Sequence, residues 1–264
     1  MSGESLSSAL IQVEIQDRLA VVSLNRPDSL NAVNMPMLEQ LISTFDVLND
    51  RSDIWCAILK GNGRAFCVGA DTKERPTMSL DAVRRRRRIA PLAFGAMRRF
   101  SRPVIAQVHG FAIGSGLEMA LNCDLIVASE ETTMGLIETR RASIPAGGGT
   151  QLLPRLIGTL RARELIYTGR KFSASDAMQW GMLNYVVPRD QLESKVMDLA
   201  REITAAAPIA CAQAKRAIDG GLDMDLAGGI QLEAALYERI LTSRDRAEVL
   251  QAGREGRTPV LRGE

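Results

Sequence analysis

Apolar residues at the start of the chain follow two different periods. Residues 11–15 alternate apolar and polar side chains and residues 19–24 are almost all apolar, which predicts a hairpin of one half-exposed and one buried strand. Apolar side chains then recur at helical spacing over residues 35–48, which predicts a helix. A short apolar run at 55–59 predicts another buried strand, so strands and helices are mixed from the outset.

The middle of the chain continues this exchange of strands and helices. Residues 79–100 predict a helix with a kink or break near Pro91, because proline removes a backbone donor from a helix interior. Three shorter predicted elements follow: a strand at 104–108, a helix that starts at 117–121 and a strand at 124–128. Since strands and helices alternate to about residue 190, we expect an α/β fold with largely parallel strand pairing.

The last quarter of the chain loses its strand pattern. After Pro188 the sequence predicts three helices, over 193–206, 209–219 and 225–242, and then a loop-like tail over 253–264. We therefore expect an α/β core over residues 1–190 and a helical C-terminal subdomain over 191–264.

Composition and charge exclude several classes of protein. Hydrophobic residues make up 46% and charged residues 24% of the 264 residues, which is ordinary for a globular protein and argues against disorder. Lys and Arg number 33 against 31 Asp and Glu, for a net charge of +2. No overall field therefore draws the chain to nucleic acid or to an anionic membrane surface.

Location and metal binding are also constrained by the sequence. No stretch approaches the roughly 18 apolar residues of a membrane span, and no basic and apolar leader is visible, so we expect a cytoplasmic protein. The four cysteines stand far apart and His109 is the single histidine, which is too few ligands for a usual zinc cluster. We expect reduced thiols, no metal site and a structural role for His109.

Two glutamates are candidates for chemistry. Glu118 lies in a short helix of Leu, Met and Ala that follows Gly114-Ser115-Gly116, and burying an unpaired carboxylate there would be costly. Glu138 ends an apolar run and is followed by Arg140 and Arg141. The alternatives are a hydrogen-bonded core Glu118 and a surface ion pair of Glu138. Two carboxylates in different surroundings could otherwise divide general-acid and general-base work.

A dinucleotide site is the rival interpretation of the first segment. A strand, Gly114-x-Gly116 and a helix imitate the glycine fingerprint of such sites. However, Met119 occupies the third glycine position, and the helix has room for only about two turns before the next strand. We reject a dinucleotide site.

Three ordered segments resemble the signatures of the crotonase, or enoyl-CoA hydratase/isomerase, superfamily. They are FCVGADTKE at 66–74, VHGFAIGSGLEMALNCD at 108–124 and MGLIETRRASIPAGGGTQLLPRLIG at 134–158. The resemblance extends to residues 24–33 and 214–226, so it covers almost the whole chain. It implies a spiral of ββα units with a helical C-terminal oligomerisation subdomain, assembled as a homotrimer or a dimer of trimers.

The resemblance also implies roles for individual residues. The backbone N–H groups of Ala70 and Ser115 would bind a thioester oxygen, and they would stabilise the charge that develops on it. Glu118 and Glu138 would be the two catalytic acids, holding one water between them. Backbone groups of Ala70, Asp71, Thr72 and Lys73 would hold coenzyme A, which enters as part of the substrate, so no separate cofactor is implied.

The activity that follows by resemblance is that of an enoyl-CoA hydratase, which adds water reversibly and syn to a trans-2-enoyl-CoA. Both glutamates favour hydration, while a double-bond isomerase or a branched, glutaconyl-type hydratase is the alternative. Segment 134–158 resembles methylglutaconyl-CoA hydratases that also bind RNA, but the matching helix at 37–50 has no lysine or arginine. RNA binding is therefore not carried over, and a non-catalytic RNA-binding or scaffold protein is the alternative of another class.

Arginine clusters leave further alternatives open. Five arginines at 84–88 are most simply a solvated helix face with ion pairs, although they could also line the phosphates of coenzyme A or bind nucleic acid. Arg140 or Arg141 could recognise a second carboxylate on the substrate or form a surface pair. In the tail, Gly253 and Gly256 stand where the family has an aromatic residue and a lysine.

Overall fold

The computed structural model describes residues 4–5, 10–74 and 78–264, and this part of the chain contains ten strands and ten α-helices. The strands are β1 Glu4–Ser5, β2 Ile11–Gln16, β3 Leu19–Leu24, β4 Cys56–Gly61, β5 Val104–Val108, β6 Phe111–Ile113, β7 Leu125–Ser129, β8 Thr133–Gly135, β9 Phe172–Ser173 and β10 Tyr185–Val187. The helices are α1 Met35–Asn49, α2 Leu80–Arg99, α3 Ser115–Leu121, α4 Gly149–Ile157, α5 Thr159–Thr168, α6 Ala174–Gln179, α7 Leu192–Thr204, α8 Pro208–Gly221, α9 Leu226–Leu241 and α10 Arg244–Glu255.

The main sheet confirms the predicted hairpin and the parallel pairing. Its strand order is β1-β2-β3-β4-β5-β7-β10. Strands β1, β2 and β3 pair antiparallel, and every pairing from β3 onward is parallel. Alternate residues of β2 are buried, whereas β5 is buried throughout, as expected for a strand near the edge and a strand in the middle of a covered sheet.

A second, smaller sheet has the order β6-β8-β9. The chain twice runs through a strand of the main sheet, a strand of the small sheet and a helix, first as β5-β6-α3 and then as β7-β8 leading to α4. This is the ββα repeat that the resemblance implied, and the fold class is confirmed.

Helix α2 continues through Pro91, so the break that the sequence offered is wrong, while the alternative of a kink stays a prediction. The half of the helix after the proline is fixed by packing, because Ala93, Phe94 and Met97 are buried. Phe100, directly after the helix, packs edge-on against Phe45 of α1 with ring centroids 5.7 Å apart. This packing offsets the single backbone hydrogen bond that a proline removes.

The C-terminal part is helical, as predicted. Helix α7 covers one face of the main sheet, where Leu192, Val196 and Ala200 pack on side chains of four strands. The predicted loop over 253–264 is wrong at its start, because α10 extends to Glu255. Only Asp245 and Ala252 of α10 are buried, so the helix carries no apolar period that the sequence could show. The division at residue 190 stays a prediction.

Among the described residues, none of the helices has the length and apolar character needed to cross a membrane. The cytoplasmic location stays a prediction.

Candidate active site

A cavity of about 360 Å³ lies where the ββα units meet. Four stretches of chain line it: residues 68–70, the inner face of α2 with Met78 before it, the start of α3 with the residues before it, and residues 137–147. Ala70, Ser115, Glu118 and Glu138, all predicted from the sequence, are among the lining residues. Folding therefore brings these four together from positions as far apart as 68 residues along the chain, from 70 to 138.

Backbone contacts fix the segments that carry Ala70 and Ser115. A Cβ atom added to Gly69, whose φ is +94°, would lie 2.6 Å from the Ile113 carbonyl oxygen and 3.5 Å from the Ser115 nitrogen. Only glycine permits this approach. The Ile113 N–H also donates to the Cys67 carbonyl at 3.0 Å. Ala70 and Ser115 therefore stand on adjoining backbone segments at one wall of the cavity.

Glu118 is 2% exposed and accepts two backbone hydrogen bonds. Its Oε1 atom lies 2.6 Å from the Gly147 nitrogen and 3.0 Å from the Gly149 nitrogen. Burial raises the pKa of Glu118 to about 7, and the charge of Glu138 acts in the same direction, while the two N–H donors oppose the rise. The carboxyl therefore exchanges its proton near neutral pH, as a general acid or base requires.

The turn that binds Glu118 is itself held by Asn122. The Asn122 side-chain amide donates to the carbonyl oxygens of Glu118 at 2.8 Å and Gly147 at 2.9 Å. A Cβ atom at Gly147 would lie 2.2 Å from the Phe94 ring, so the turn also packs directly on α2. No pattern in the sequence indicated these roles for Asn122 and Phe94.

Glu138 begins a short 3-10 helix, Glu138–Arg141, and its side chain lies next to Gly114, the residue before α3. Gly114 has φ +54°, and a Cβ atom there would lie 2.7 Å from the Glu138 Oε1 atom. The side chain of Glu138 thus packs against the turn that starts α3. Two carboxylates in unlike surroundings, one buried and one half-buried, line the same cavity.

Asp71, Thr72 and Lys73 lie beside the cavity but are not among its described lining residues. The Asp71 N–H donates to the Val33 carbonyl at 2.9 Å, and the Lys73 N–H donates to the Asp71 carboxylate at 3.0 Å. That carboxylate also pairs with Arg26 at 2.9 Å. The contact of residues 71–73 with coenzyme A stays a prediction, and the N–H groups of Asp71 and Lys73 are already engaged within the chain.

The arginine run at 84–88 divides between solvent and the cavity. Two of its members form surface ion pairs, as predicted: Arg84 with Asp81 at 3.2 Å and Arg85 with Glu39 at 2.7 Å. Arg86 and Arg87 instead line the cavity. Arg86 is largely buried and donates to the Val33 carbonyl at 2.8 Å. The predicted solvated helix face with ion pairs therefore holds for Arg84 and Arg85 but not for Arg86.

Arg140 and Arg141 also point in different directions. Arg140 donates to the Thr168 carbonyl at 2.6 Å and packs on Gly169, away from the cavity. Arg141 lines the cavity. Of the two arginines that the sequence left open, only Arg141 is placed to meet a ligand there.

His109 and the thiols of Cys56 and Cys67 are buried in the protein interior. His109 is 2% exposed, its Nε2 atom lies 3.0 Å from the Gly63 carbonyl oxygen, and burial lowers its pKa. Burial raises the pKa of both Cys56 and Cys67 to about 12, which keeps them as thiols. Across the described ranges, no group of three or more His, Cys, Asp and Glu side chains is arranged to hold a metal ion.

The family model and the individual relatives that match this chain point to the same protein family. Residues 14–264 match the family model described as enoyl-CoA hydratase/isomerase. The chain is 43% identical to YngF of Bacillus subtilis over 248 residues, covering 94% of this chain and 95% of that protein. It is 36% identical to the mitochondrial methylglutaconyl-CoA hydratase of Mus musculus over 251 residues, covering 93% and 80%.

The fold comparison agrees with the sequence comparison. The crystal structure of an enoyl-CoA hydratase from Bacillus anthracis superposes with a TM-score of 0.94 at 41% identity, covering 97% of this chain and all (100%) of that one. A match of this extent, in sequence and in fold, leaves one assignment: the chain belongs to the enoyl-CoA hydratase/isomerase, or crotonase, family.

Proposed function

We propose that the protein is an enoyl-CoA hydratase, which adds water reversibly and syn to a trans-2-enoyl-CoA thioester. The observation that carries this proposal is the pair of glutamates on one cavity. Glu118 is buried and bonded to two backbone N–H groups, while Glu138 is half-buried next to Gly114. Unlike surroundings allow two carboxyls to hold different protonation states at the same pH.

In the proposed reaction the thioester oxygen accepts hydrogen bonds from the backbone N–H groups of Ala70 and Ser115. Charge develops on this oxygen as water adds, so fixed donors stabilise the transition state more than the bound substrate. One glutamate takes a proton from the water as the oxygen of that water bonds to C3 of the substrate. The other glutamate gives a proton to C2, and the two carboxyls exchange roles in the reverse direction. The chemistry draws on carboxyls and main-chain amides, with coenzyme A as part of the substrate.

Steady-state kinetics on crotonyl-CoA test this proposal, because hydration removes the absorbance of the conjugated thioester. We expect Glu118→Gln and Glu138→Gln each to lower kcat by at least about 100-fold, within the range of general acid–base groups. Glu130→Gln is the matched control, since Glu130 is exposed and remote from the cavity lining. Near-wild-type turnover by either cavity variant would end the two-glutamate mechanism.

Two absorbance assays on the wild-type protein, one for hydration and one for isomerisation, separate hydration from its alternatives. A double-bond isomerase would convert a 3-enoyl-CoA into the conjugated 2-enoyl-CoA, so absorbance would appear rather than disappear. A non-catalytic binding protein would retain the thioester unchanged in both assays. Hydration faster than isomerisation in the wild-type protein supports the proposal, and the opposite order assigns the chain to isomerases.

We also propose that the chain assembles as a homotrimer or a dimer of trimers through its C-terminal helices. Large apolar side chains of this region are exposed in the single chain: Ile218, Leu222, Leu226, Ile230 and Leu241. Apolar surface of this kind marks an association face. Light scattering on the eluted protein should give three or six times the 28.8 kDa chain mass, and the mass of a single chain would refute the assembly.

A further inference from the structure

We propose that the outer end of the cavity binds an anionic group at the far end of the acyl chain, through Arg87 and Arg141. The preferred substrates would then be dicarboxylic enoyl-CoA thioesters. This inference rests on the hydratase function proposed above and names the class of substrate that this site would take.

One face of α2 forms a wall that changes in character along its length. Val83, Arg87, Ala90 and Phe94 recur at helical spacing on the cavity side. Phe94 marks the inner end, because its ring lies beside Gly147 in the turn that binds Glu118. Arg87 stands seven residues earlier, which is about 10 Å along the helix axis. The wall is therefore apolar near the glutamates and cationic two turns farther out.

Arg141 supplies a second cation from the facing element. It follows Glu138 in the 3-10 helix Glu138–Arg141 and lines the same cavity. A shallow groove continues outward from the cavity between Arg87 and residues 139–144. Two guanidinium groups from separate parts of the chain thus border the route by which an acyl chain longer than a few carbons would extend.

Neither of these arginines is neutralised within the described part of the chain. Among residues 10–74 and 78–264, no carboxylate lies within 4.0 Å of the charged nitrogens of Arg87 or Arg141. By contrast, Arg86 lies 3.7 Å from Glu74. A carboxylate on the acyl chain would supply the missing charge, and arginine binds carboxylates with paired N–H donors.

The direction of Arg87 favours the acyl chain over the phosphates of coenzyme A. Its neighbour Arg86 faces the segment predicted to hold coenzyme A, because it reaches Val33 and Glu74. Arg87 is one residue farther round the helix and faces residues 139–144 instead. The two neighbouring arginines therefore serve opposite sides of the cavity.

Paired substrates test the inference. Glutaconyl-CoA and 2-octenedioyl-CoA are each compared with the thioester in which a neutral amide replaces the terminal carboxylate, so that shape is kept and charge is removed. We expect the wild-type protein to favour at least one diacid over its amide by about tenfold in kcat/KM, which is a differential stabilisation of about 1.4 kcal/mol. Arg87→Gln and Arg141→Gln should each reduce this ratio, and the double variant should bring it to about one.

Arg88→Gln is the matched control, because it removes the same charge from the next position of α2, where the side chain is exposed and outside the cavity lining. It should leave the ratio at the wild-type value. A wild-type ratio near one for both pairs overturns the inference. So does an equal loss on diacid and amide in the Arg87 and Arg141 variants, which would assign these arginines to the phosphates of coenzyme A.

Failure of the inference is distinguishable from failure of the proposed function. If crotonyl-CoA is hydrated and the ratio is near one, only the inference fails. If no thioester is turned over, the hydratase function fails, and calorimetric binding of glutaryl-CoA against its terminal amide still measures the preference for charge. Equal affinities for that pair would overturn the anion site, whereas tighter binding of glutaryl-CoA that the double variant loses would support it.

Discussion

Replacing Glu118 with glutamine should make the folded protein more stable at alkaline pH while it removes activity. Glu118 is 2% exposed, and its burial raises its pKa from 4.5 to about 7. Between these two values the folded chain holds a proton that the unfolded chain has lost. Stability contributed by this group is therefore greatest below pH 4.5 and falls as pH rises toward 7.

The size of the effect follows from the two pKa values. The penalty for ionising the buried carboxyl is about 1 kcal/mol at pH 5 and about 3 kcal/mol at pH 8. Glutamine carries no charge and so has no ionisation penalty. Its Oε1 atom can still accept hydrogen bonds from the N–H groups of Gly147 and Gly149. Its amide group adds a cost of about 1–3 kcal/mol if left unsatisfied, but this cost is the same at both pH values. The difference between the two pH values is therefore the quantity to measure, and it is about 2–3 kcal/mol.

Urea unfolding at pH 5 and pH 8, at one protein concentration, measures this difference. We expect the free energy of unfolding of Glu118→Gln, relative to wild type, to rise by about 2–3 kcal/mol between the two conditions. Glu130→Gln makes the same chemical change at an exposed position and should show no such rise. An equal gap at pH 5 and pH 8 for Glu118→Gln would refute the argument that burial controls this carboxyl.

Four further predictions concern the turn that binds Glu118, helix α10 and the pH dependence of activity. Asn122→Ala should lower kcat more than it raises KM, and should cost about 1–3 kcal/mol of stability, because the buried Gly147 carbonyl loses its amide donor; an unchanged kcat would contradict this positioning role. Gly147→Ala should destabilise the fold by about 1–3 kcal/mol in urea unfolding, since the new methyl group would lie 2.2 Å from the Phe94 ring. Gly253→Ala, where nothing lies within 4 Å, should instead stabilise α10 by up to about 1 kcal/mol, and a loss there would count against the packing argument. The pH profile of kcat/KM should bend near pH 7, and the bend should be missing from residual Glu118→Gln activity.

Much of the fold was predictable because its longer elements repeat a period. Strands β2 and β3 and helices α1 and α2 all show apolar residues at strand or helix spacing. Strands β6, β8 and β9 have only two or three residues each, which is too few for an alternation to be recognised. The apolar residues of α10 do not share one face and only two of its residues are buried, so its hydrogen bonds and end residues define it rather than an apolar face.

The candidate site was predictable only in part, for a different reason. Glu118 was noticeable because a charge interrupts an apolar helix, and its neighbouring glycines suggested a close approach of backbone. Its hydrogen bonds to Gly147 and Gly149 join residues 29 and 31 positions apart, and no local pattern predicts such a pair. The arginine run gave no indication that Arg84 and Arg87 would face different surroundings, because that depends on what packs against each side of α2.

The adjoining backbone segments at Ala70 and Ser115 have a consequence for how this protein can change over generations. If the polarising groups are main-chain amides, a single codon change cannot delete them unless it introduces proline, which has no N–H. The walls that would meet the acyl chain are made of side chains, and every one of those is open to replacement. Mutation would therefore retune which molecules are accepted long before it erased the reaction itself.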